Sequence, residues 1–213
     1  RNQISLRIQN LKTPSFSRTV YRIFSHIPTL ETPRLTLRGM RVSDAEDVFD
    51  YASREEVTRY LLWSPHPDIE YTRRYLTYIG QRYRTGDFFD WAMVSRETGH
   101  MIGTCGFTSF NFSADSGEIG YVLNPDYSGR GLATEAVREV IRFGFTSLYL
   151  HRQEARFLQG NDRSRRLMER VGMCFEGWSR DAIKTGDVYR TVGTCAILAG
   201  DWRANIGQQP PES

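Results

Sequence analysis

One stretch carries most of the information in this chain: Asn124-Pro125-Asp126-Tyr127-Ser128-Gly129-Arg130-Gly131-Leu132-Ala133-Thr134-Glu135-Ala136. It joins an alternating segment, 118–123, which predicts a strand, to a segment that predicts a helix starting near residue 131. A helix start presents backbone N–H groups without intrahelical partners, and the helix dipole makes that end positive. Gly129 and Gly131 carry no Cβ, so a bulky anion can approach these N–H groups, and Thr134 adds a hydroxyl. The stretch predicts either a phosphate-binding loop or a plain strand-to-helix turn.

The bulk composition is that of a soluble globular protein. The chain has 213 residues, 39% of them hydrophobic and 25% charged, which suits one sizeable domain. No apolar run approaches the ~18–20 residues that a membrane span needs. Its three cysteines, Cys105, Cys174 and Cys195, are far apart and lack metal-ligand spacing. We therefore expect buried, reduced thiols, no metal site and a cytoplasmic location.

The net charge of +3 is unevenly distributed. Residues 1–30 contain five basic residues and no acid, whereas residues 31–213 contain 23 basic and 25 acidic residues and sum to −2. A nearly neutral folded part argues against a nucleic-acid surface. Residues 1–29 are interpreted as a basic N-terminal arm, and their serines also suit an organelle transit peptide.

The rest of the chain alternates strands and helices, which predicts a single mixed α/β (α+β) domain over residues 30–205, followed by a tail, 206–213. A capping box at Ser43-Asp44-Ala45-Glu46 predicts a helix to about residue 53. Three more helices are predicted: 68–85, ended by Gly86; 131–148; and one that Asn161 caps and Gly172 ends. Besides 118–123, the predicted strands are 34–38, 88–95, 101–110, 152–158 and two around the turn 184–187.

Four motifs occur along the chain in this order: Thr32-Pro33-Arg34-Leu35-Thr36-Leu37-Arg38, Gly99-His100-Met101-Ile102-Gly103, the strand 118–123 with 129–136, and Asn161 and Ser164 followed by 167–173. Together they resemble the GNAT superfamily of N-acetyltransferases, and most of all its Rim-type branch, named for ribosomal-protein N-acetyltransferases. The resemblance covers about residues 30–203.

The resemblance implies a mostly antiparallel central sheet, flanked by helices, whose central strands splay apart to hold acetyl-coenzyme A. It implies that pantetheine pairs with the backbone of Tyr121, Val122 and Leu123. Asn161 would bind the pantetheine arm, or cap its helix, or do both. The diphosphate would lie on the loop residues Gly129, Arg130, Gly131, Leu132, Ala133 and Thr134.

The chain also departs from the family at several positions, and the usual phenolic proton donor is missing. Asp126 stands where Gln or Arg is frequent, and Ser128 stands where the branch has an aromatic residue. Met168 replaces a tyrosine general acid, while Cys195 and Thr191 replace a tyrosine and an aspartate common in the branch.

Attack of an amine on a thioester needs a neutral nucleophile, a stabilised oxyanion and a proton for the thiolate. Deprotonating an α-amine at pH 7 costs about 1 kcal/mol, against about 4.6 kcal/mol for a lysine, so a weak base favours an α-amine. Ser164 is the candidate proton donor, and Glu118, acting through water, is the candidate base, with Asp181 second. The alternatives are first-turn helix chemistry for Ser164 and a solvated strand-end acid for Glu118.

The predicted activity is transfer of acetyl to a primary amine, most of all an N-terminal α-amine of a protein or peptide. The alternatives are a small-amine acetyltransferase, acting on a polyamine, amino acid or antibiotic, and a non-catalytic acyl-coenzyme A-binding module. No nucleic acid or membrane is expected as a partner, and the chain is expected to be a monomer or homodimer. The acceptor pocket is expected between the first two helices and the final hairpin, under a lip at 62–67, and the histidines are expected to be structural.

Overall fold

The computed structural model describes residues 15–206, so residues 1–14 of the predicted arm and 207–213 of the predicted tail lie outside it. Its strands are β1 (Leu30–Glu31), β2 (Leu35–Arg38), β3 (Phe89–Ser95), β4 (Met101–Asn111), β5 (Ser116–Leu123), β6 (Arg152–Leu158), β7 (Cys174–Thr185) and β8 (Val188–Leu198). Its helices are α1 (Phe16–Phe24), α2 (Ala45–Ala52), α3 (Glu55–Thr58), α4 (Ile69–Thr85), α5 (Leu132–Thr146), α6 (Asp162–Arg170) and α7 (Ala199–Ile206).

The strands form one sheet in the order β1-β2-β3-β4-β5-β6-β8-β7. Every neighbouring pair is antiparallel except β5 and β6. This confirms the predicted α/β class with a mixed, mostly antiparallel sheet.

The two central strands, β5 and β6, separate after a short contact. They pair in parallel only between residues 116–118 and 152–154. Beyond that point β5 stays paired with β4 as far as Leu123, and β6 stays paired with β8 along its whole length. A gap therefore opens between 119–123 and 155–158, and this confirms the predicted splay.

The sheet buries an apolar core on each face because successive side chains of a strand point to opposite sides. Trp91 and Met93 of β3 pack in the core that contains α5, whereas Ala92 between them packs in the core that contains α2 and α4. On α5 the predicted apolar positions Ala136, Val137, Val140 and Ile141 are all buried.

The structure confirms the predicted boundaries of α4. The predicted cap of α2 is wrong. The Asp68 Oδ1 accepts the Tyr71 N–H at 2.7 Å, and Gly86 ends α4 with φ 73°. Before α2, residues 42–44 form a 3-10 turn, and no Ser43 cap occurs. The buried Asp44 carboxylate instead accepts the Arg41 N–H at 2.8 Å and pairs with Arg38 at 2.8 Å, because the Arg38 guanidinium draws it inward.

The later part of the predicted arm contains an element that the sequence analysis did not identify, the helix α1. Its Val20 and Phe24 are fully buried, and the Phe24 ring lies 5.3 Å from the Trp91 ring. The Trp91 Nε1–H donates to the Pro28 carbonyl at 2.7 Å. Residues 16–28 therefore contribute to the main core.

The cysteines are free thiols. Cys105 and Cys195 are buried, as expected, but Cys174 is exposed, because it starts β7, the last strand at that edge of the sheet.

None of the helices within residues 15–206 is long and apolar enough to cross a bilayer.

Candidate active site

A cleft of about 1200 Å³ runs through the gap between β5 and β6. One end, here called the donor half, is lined by the glycine loop 128–134 and by α6. The other end, here called the acceptor chamber, is lined by α2, α3, the segment 60–66 and α4. Of the predicted cofactor-binding residues, all but Arg130 line this cleft: Tyr121, Val122, Leu123, Gly129, Gly131, Leu132, Ala133, Thr134 and Asn161.

The glycine loop owes its shape to backbone conformation. Gly129 has φ 78° and Gly131 has φ 76°, values that residues with a Cβ rarely adopt. A Cβ at Gly129 would meet no atom within 4 Å. The glycine is therefore required by its left-handed φ, and the space above it faces the cleft. Upstream, the Asn124 Oδ1 accepts the Asp126 N–H at 3.0 Å and fixes the turn that follows β5.

Arg130 points away from the cleft, and Arg170 lies in it. The Arg130 guanidinium stacks over the Tyr127 ring at 5.6 Å. Arg170, on the last turn of α6, lines the cleft and donates from Nη1 to the Thr134 Oγ1 at 3.1 Å. The sequence analysis did not identify Arg170 as a site residue, although Arg170 lies within the helix motif 167–173.

Other basic side chains give the donor half a positive character. Arg156 of β6 and Arg163 and Arg166 of α6 also line the cleft. Together with Arg170 and the start of α5, they supply donors suited to phosphate along the cleft, and Arg156 also pairs with Glu118. A phosphate-bearing donor substrate therefore fits this half.

Asn161 and Ser164 act together at the start of α6. The Asn161 Oδ1 accepts the Ser164 N–H at 3.3 Å, which is the predicted N-cap. This cap holds the first turn of α6 against the splayed end of β5.

The Ser164 hydroxyl meets a phenol that the sequence analysis did not identify as a side-chain partner. The Tyr121 hydroxyl oxygen of β5 lies 2.6 Å from the Ser164 Oγ. Burial raises the pKa of the Tyr121 phenol to about 12, although the bond with Ser164 acts in the opposite direction, so the phenol keeps its proton near neutral pH. The expected tyrosine positions hold Met168 and Cys195, both buried. A phenol thus reaches this site from β5 instead.

The two predicted bases lie in different places. Glu118 lines the cleft, with its side chain 18% exposed and 3.2 Å from the Arg156 Nε. Asp181 is exposed in an irregular part of β7 with φ 48° and is not among the cleft residues. Only Glu118 is therefore within the same cleft as Ser164.

The acceptor chamber is lined by the side chains Tyr51, Trp63, His66, Tyr75 and Asp90. Four residues of the predicted lip, 62–67, line the cleft: Leu62, Trp63, Ser64 and His66. Leu62 is 62% exposed. From the final hairpin only Ile183 and Val192 reach the cleft. His66 is buried, and its Nδ1 lies 2.8 Å from the Thr72 Oγ1. Burial lowers the pKa of His66, so this ring is neutral near pH 7.

Asp126 links the two halves. The Arg54 guanidinium, beside α3, donates to both Asp126 carboxylate oxygens at 2.9 Å and also to Asp50. The acid that departs from the family pattern therefore ties the loop before Gly129 to the chamber helices.

The comparisons with known proteins agree with this geometry. Residues 34–174 match the family described as "Acetyltransferase (GNAT) domain". The N-acetyltransferase p20 of Bacillus licheniformis is 38% identical over 153 residues, which cover 72% of this chain and 86% of that protein. The [ribosomal protein uS5]-alanine N-acetyltransferase of Escherichia coli is 26% identical over 188 residues, which cover 84% of this chain and 95% of that protein.

A solved structure with the same fold has a bound coenzyme A. It is RimL, a ribosomal L7/L12 alpha-N-protein acetyltransferase, with a TM-score of 0.69 and 17% identity over 80% of this chain and 98% of that one. The fold, the cleft and the family match together show that this chain belongs to the GNAT family of acetyltransferases.

Proposed function

We propose that this chain transfers the acetyl group of acetyl-coenzyme A to a primary amine, with the N-terminal α-amine of a protein or peptide as the acceptor class. The observation that carries the proposal is one continuous cleft that joins the glycine loop to the acceptor chamber, with the Tyr121–Ser164 hydroxyl pair along it. The loop suits a diphosphate, the hydroxyl pair suits a departing thiolate, and the chamber leaves room for a second substrate.

The donor half holds the nucleotide end of acetyl-coenzyme A. The N–H groups of Gly129 to Thr134 bind the diphosphate, and Arg170 and its neighbours on α6 offset the charge. The edge of β5 that faces the gap offers the backbone of Tyr121, Val122 and Leu123 to the pantetheine amides. Asn161 both caps α6 and faces the same gap.

Proton transfer is assigned to side chains in the middle of the cleft. Acetyl-coenzyme A supplies a thioester whose sulfur leaves as a thiolate after the amine attacks the carbonyl carbon. Ser164 donates a proton to that sulfur, and Tyr121, 2.6 Å away, can replace the proton. Glu118 accepts the amine's proton through water, and a backbone N–H near Val122 stabilises the oxyanion.

The acceptor class rests on energetics and on relatives. An α-amine needs about 1 kcal/mol to lose its proton at pH 7, so a base that acts through water is sufficient. A relative in Escherichia coli is named for N-acetylation of the alanine of ribosomal protein uS5, and this name supports a protein amine as the acceptor here.

Coenzyme A release from acetyl-coenzyme A over a panel of amines tests the proposal. The panel contains peptides with free N-termini, the same peptides with a blocked N-terminus and an internal lysine, spermidine and free amino acids. We expect the free N-terminal peptides to give the highest kcat/KM and mass spectrometry to place the acetyl group on the α-nitrogen. Coenzyme A binding without turnover of any acceptor would instead support a non-catalytic binding module.

A further inference from the structure

A carboxylate in the acceptor chamber has no role in the scheme above. Asp90 lies in β3 directly opposite Gly106 of β4. By strand alternation its side chain is on the same face as Ala92, the face covered by α2 and α4. Asp90 lines the cleft, yet its Oδ1 is buried without a hydrogen-bond partner among the described residues. Such an atom is costly to keep in a fold unless a ligand satisfies it.

The sheet register aims Asp90 at the centre of the cleft. Asp90 is opposite Gly106, and Gly106 is opposite Gly120 of β5. Strands are about 4.8 Å apart, so the Asp90 Cα lies about 10 Å from the strand that carries Tyr121. A Cβ at Gly106 would lie 2.7 Å from the Asp90 Oδ1 and still closer to the Phe89 carbonyl oxygen, so the Asp90 side chain itself packs over Gly106, toward β5. The methyl group of Thr108 lies beside Gly120.

No cation neutralises this carboxylate within the part of the chain that the structure describes. Tyr51 of α2 and Tyr75 and Tyr83 of α4 face it, and burial raises the pKa of all three phenols, so they are neutral. The Tyr83 hydroxyl donates to the Asp90 backbone carbonyl at 2.6 Å, not to its carboxylate. From β4, the Cys105 thiol is buried, and its pKa is raised.

Three charged groups on the elements around Asp90 have other partners, and burial alone accounts for the raised pKa of Asp90. Arg82 of α4 donates to the Asp87 carbonyl at 2.6 Å. Asp44, before α2, pairs with Arg38, and Asp47 of α2 accepts from the Met101 N–H at 2.9 Å. The group that would complete Asp90 must therefore come from outside the chain.

We propose that Asp90 binds the acceptor's amino group in its ammonium form and holds it in the acceptor chamber, on the side of Asp90 that lines the cleft. The assignment rests on the proposed acetyltransferase function and adds to it the residue that selects amines. An ammonium carries three N–H donors and a positive charge, which match a buried carboxylate surrounded by phenols. A hydroxyl or carboxylate acceptor would leave the site unneutralised, so amines are preferred.

This arrangement makes acceptor binding depend on pH in a defined way. Burial raises the pKa of Asp90 to about 7. Below that value Asp90 is protonated and cannot pair with an ammonium, so acceptor affinity falls as pH falls through about 7. An α-amine loses its proton near pH 7.7–8.0, so affinity falls again above that range. Acceptor affinity for an α-amine is therefore greatest between about pH 7 and 8.

The test compares wild type, Asp90→Asn and the control Asp201→Asn, an exposed acid on α7. The probe is a peptide with a free N-terminal alanine, and its Nα-acetylated form is the comparison ligand. Kinetics from pH 5.5 to 8.5 give kcat and KM, and calorimetry gives peptide and coenzyme A affinity. We expect Asp90→Asn to raise the peptide KM roughly 10- to 150-fold, the effect of losing a charged hydrogen bond. Coenzyme A affinity and the control should not change.

Two results would overturn the Asp90 assignment alone. One is a peptide KM of Asp90→Asn within twofold of the wild-type value. The other is an Asp90→Asn variant whose peptide affinity still falls below pH 7 as much as that of wild type. We expect wild type to bind the free peptide more tightly than the acetylated one and Asp90→Asn to bind both equally. Absence of peptide turnover by wild type, with coenzyme A still bound, would instead contradict the proposed function itself.

Discussion

The donor half and the acceptor chamber share one cleft but are built differently. The main part of the donor half, the glycine loop 128–134, is contiguous in sequence and forms both the turn and the start of α5, and α6 completes this half. The chamber is made from side chains far apart in the chain, such as Tyr51, Tyr75 and Asp90, which meet only when β3 joins the sheet.

The difference shows what each half is optimised for. In the donor half, the side chains that shape the loop and α6 have partners: Arg170 donates to Thr134, and Asn161 accepts the Ser164 N–H. The groups left for a ligand there are backbone N–H groups. In the chamber, a side chain is left instead: Asp90 keeps an unpaired oxygen and a raised pKa, a feature expected of a functional site.

The largest effect is expected when the glycine loop is broken. Gly129→Val places a β-branched residue at φ 78°, a conformation that costs roughly 1–3 kcal/mol and would rearrange the loop. We expect coenzyme A binding to be abolished in calorimetry. Gly186→Val is the control, because Gly186 has φ 59° at the tip of the β7–β8 hairpin and also has open space around it. Retained binding in Gly129→Val would refute the phosphate-loop assignment.

The next largest effect is expected at the hydroxyl pair. Ser164→Ala removes the proposed proton donor and should lower kcat about 100-fold, with coenzyme A affinity nearly unchanged. Tyr121→Phe keeps the ring and removes only the hydroxyl, so we expect its kcat to fall about tenfold. Ser147→Ala, at the end of α5, is the control. A wild-type kcat in Ser164→Ala would show that the thiolate takes its proton elsewhere.

A smaller effect is expected on the free energy of unfolding, because the buried Asp90 carboxylate destabilises the fold. The pKa of Asp90 is raised, so the folded state binds its proton more tightly than the unfolded state, and stability falls as pH rises from about 4 to about 7. Asp90→Asn removes this pH-dependent fall in stability, because asparagine does not ionise. Denaturant unfolding should find the variant about 1–3 kcal/mol more stable than wild type at pH 8, with a smaller difference at pH 5. Equal stability at both pH values would mean that Asp90 is fully solvated.

The smallest effect is expected at the arginine of the donor half. Arg170→Ala loses the bond to Thr134, 3.1 Å long, and one positive charge near the loop. We expect coenzyme A affinity to fall roughly 1.5- to 5-fold at low salt, the range for one exposed charged contact, and less at high salt. Arg203→Ala, on α7, is the control. A salt-independent loss would indicate disturbed packing of α6.

What the sequence could predict follows the same division. The loop, the cap at Asn161 and the boundaries of α4 depend on residues close in sequence, and local patterns predict them. The splay of β5 and β6 came from the resemblance to a family. The meeting of Tyr121 with Ser164, and the row of Asp90 with two glycines, depend on strand register, which no local pattern specifies.

The helix α1 and the start of α2, which the sequence analysis did not predict, have physical explanations as well. Phe16, Val20 and Phe24 have the i, i+4, i+8 spacing of a helix face, yet the basic charge around them favoured the interpretation as a basic arm outside the domain. Ser43 fits a capping box, but Asp44 is drawn into an ion pair with Arg38, and the helix starts at Ala45. Long-range contacts overrode the local signal in both places.

The central claim is that a coenzyme A thioester reaches the Tyr121–Ser164 pair from the glycine loop. A crystal structure of the complex with coenzyme A tests it most directly. The account predicts the diphosphate on the N–H groups of Gly129 to Thr134 and the sulfur within hydrogen-bond reach of the Ser164 Oγ or the Tyr121 hydroxyl. A sulfur that lies outside the gap between β5 and β6, with neither hydroxyl beside it, would contradict the account.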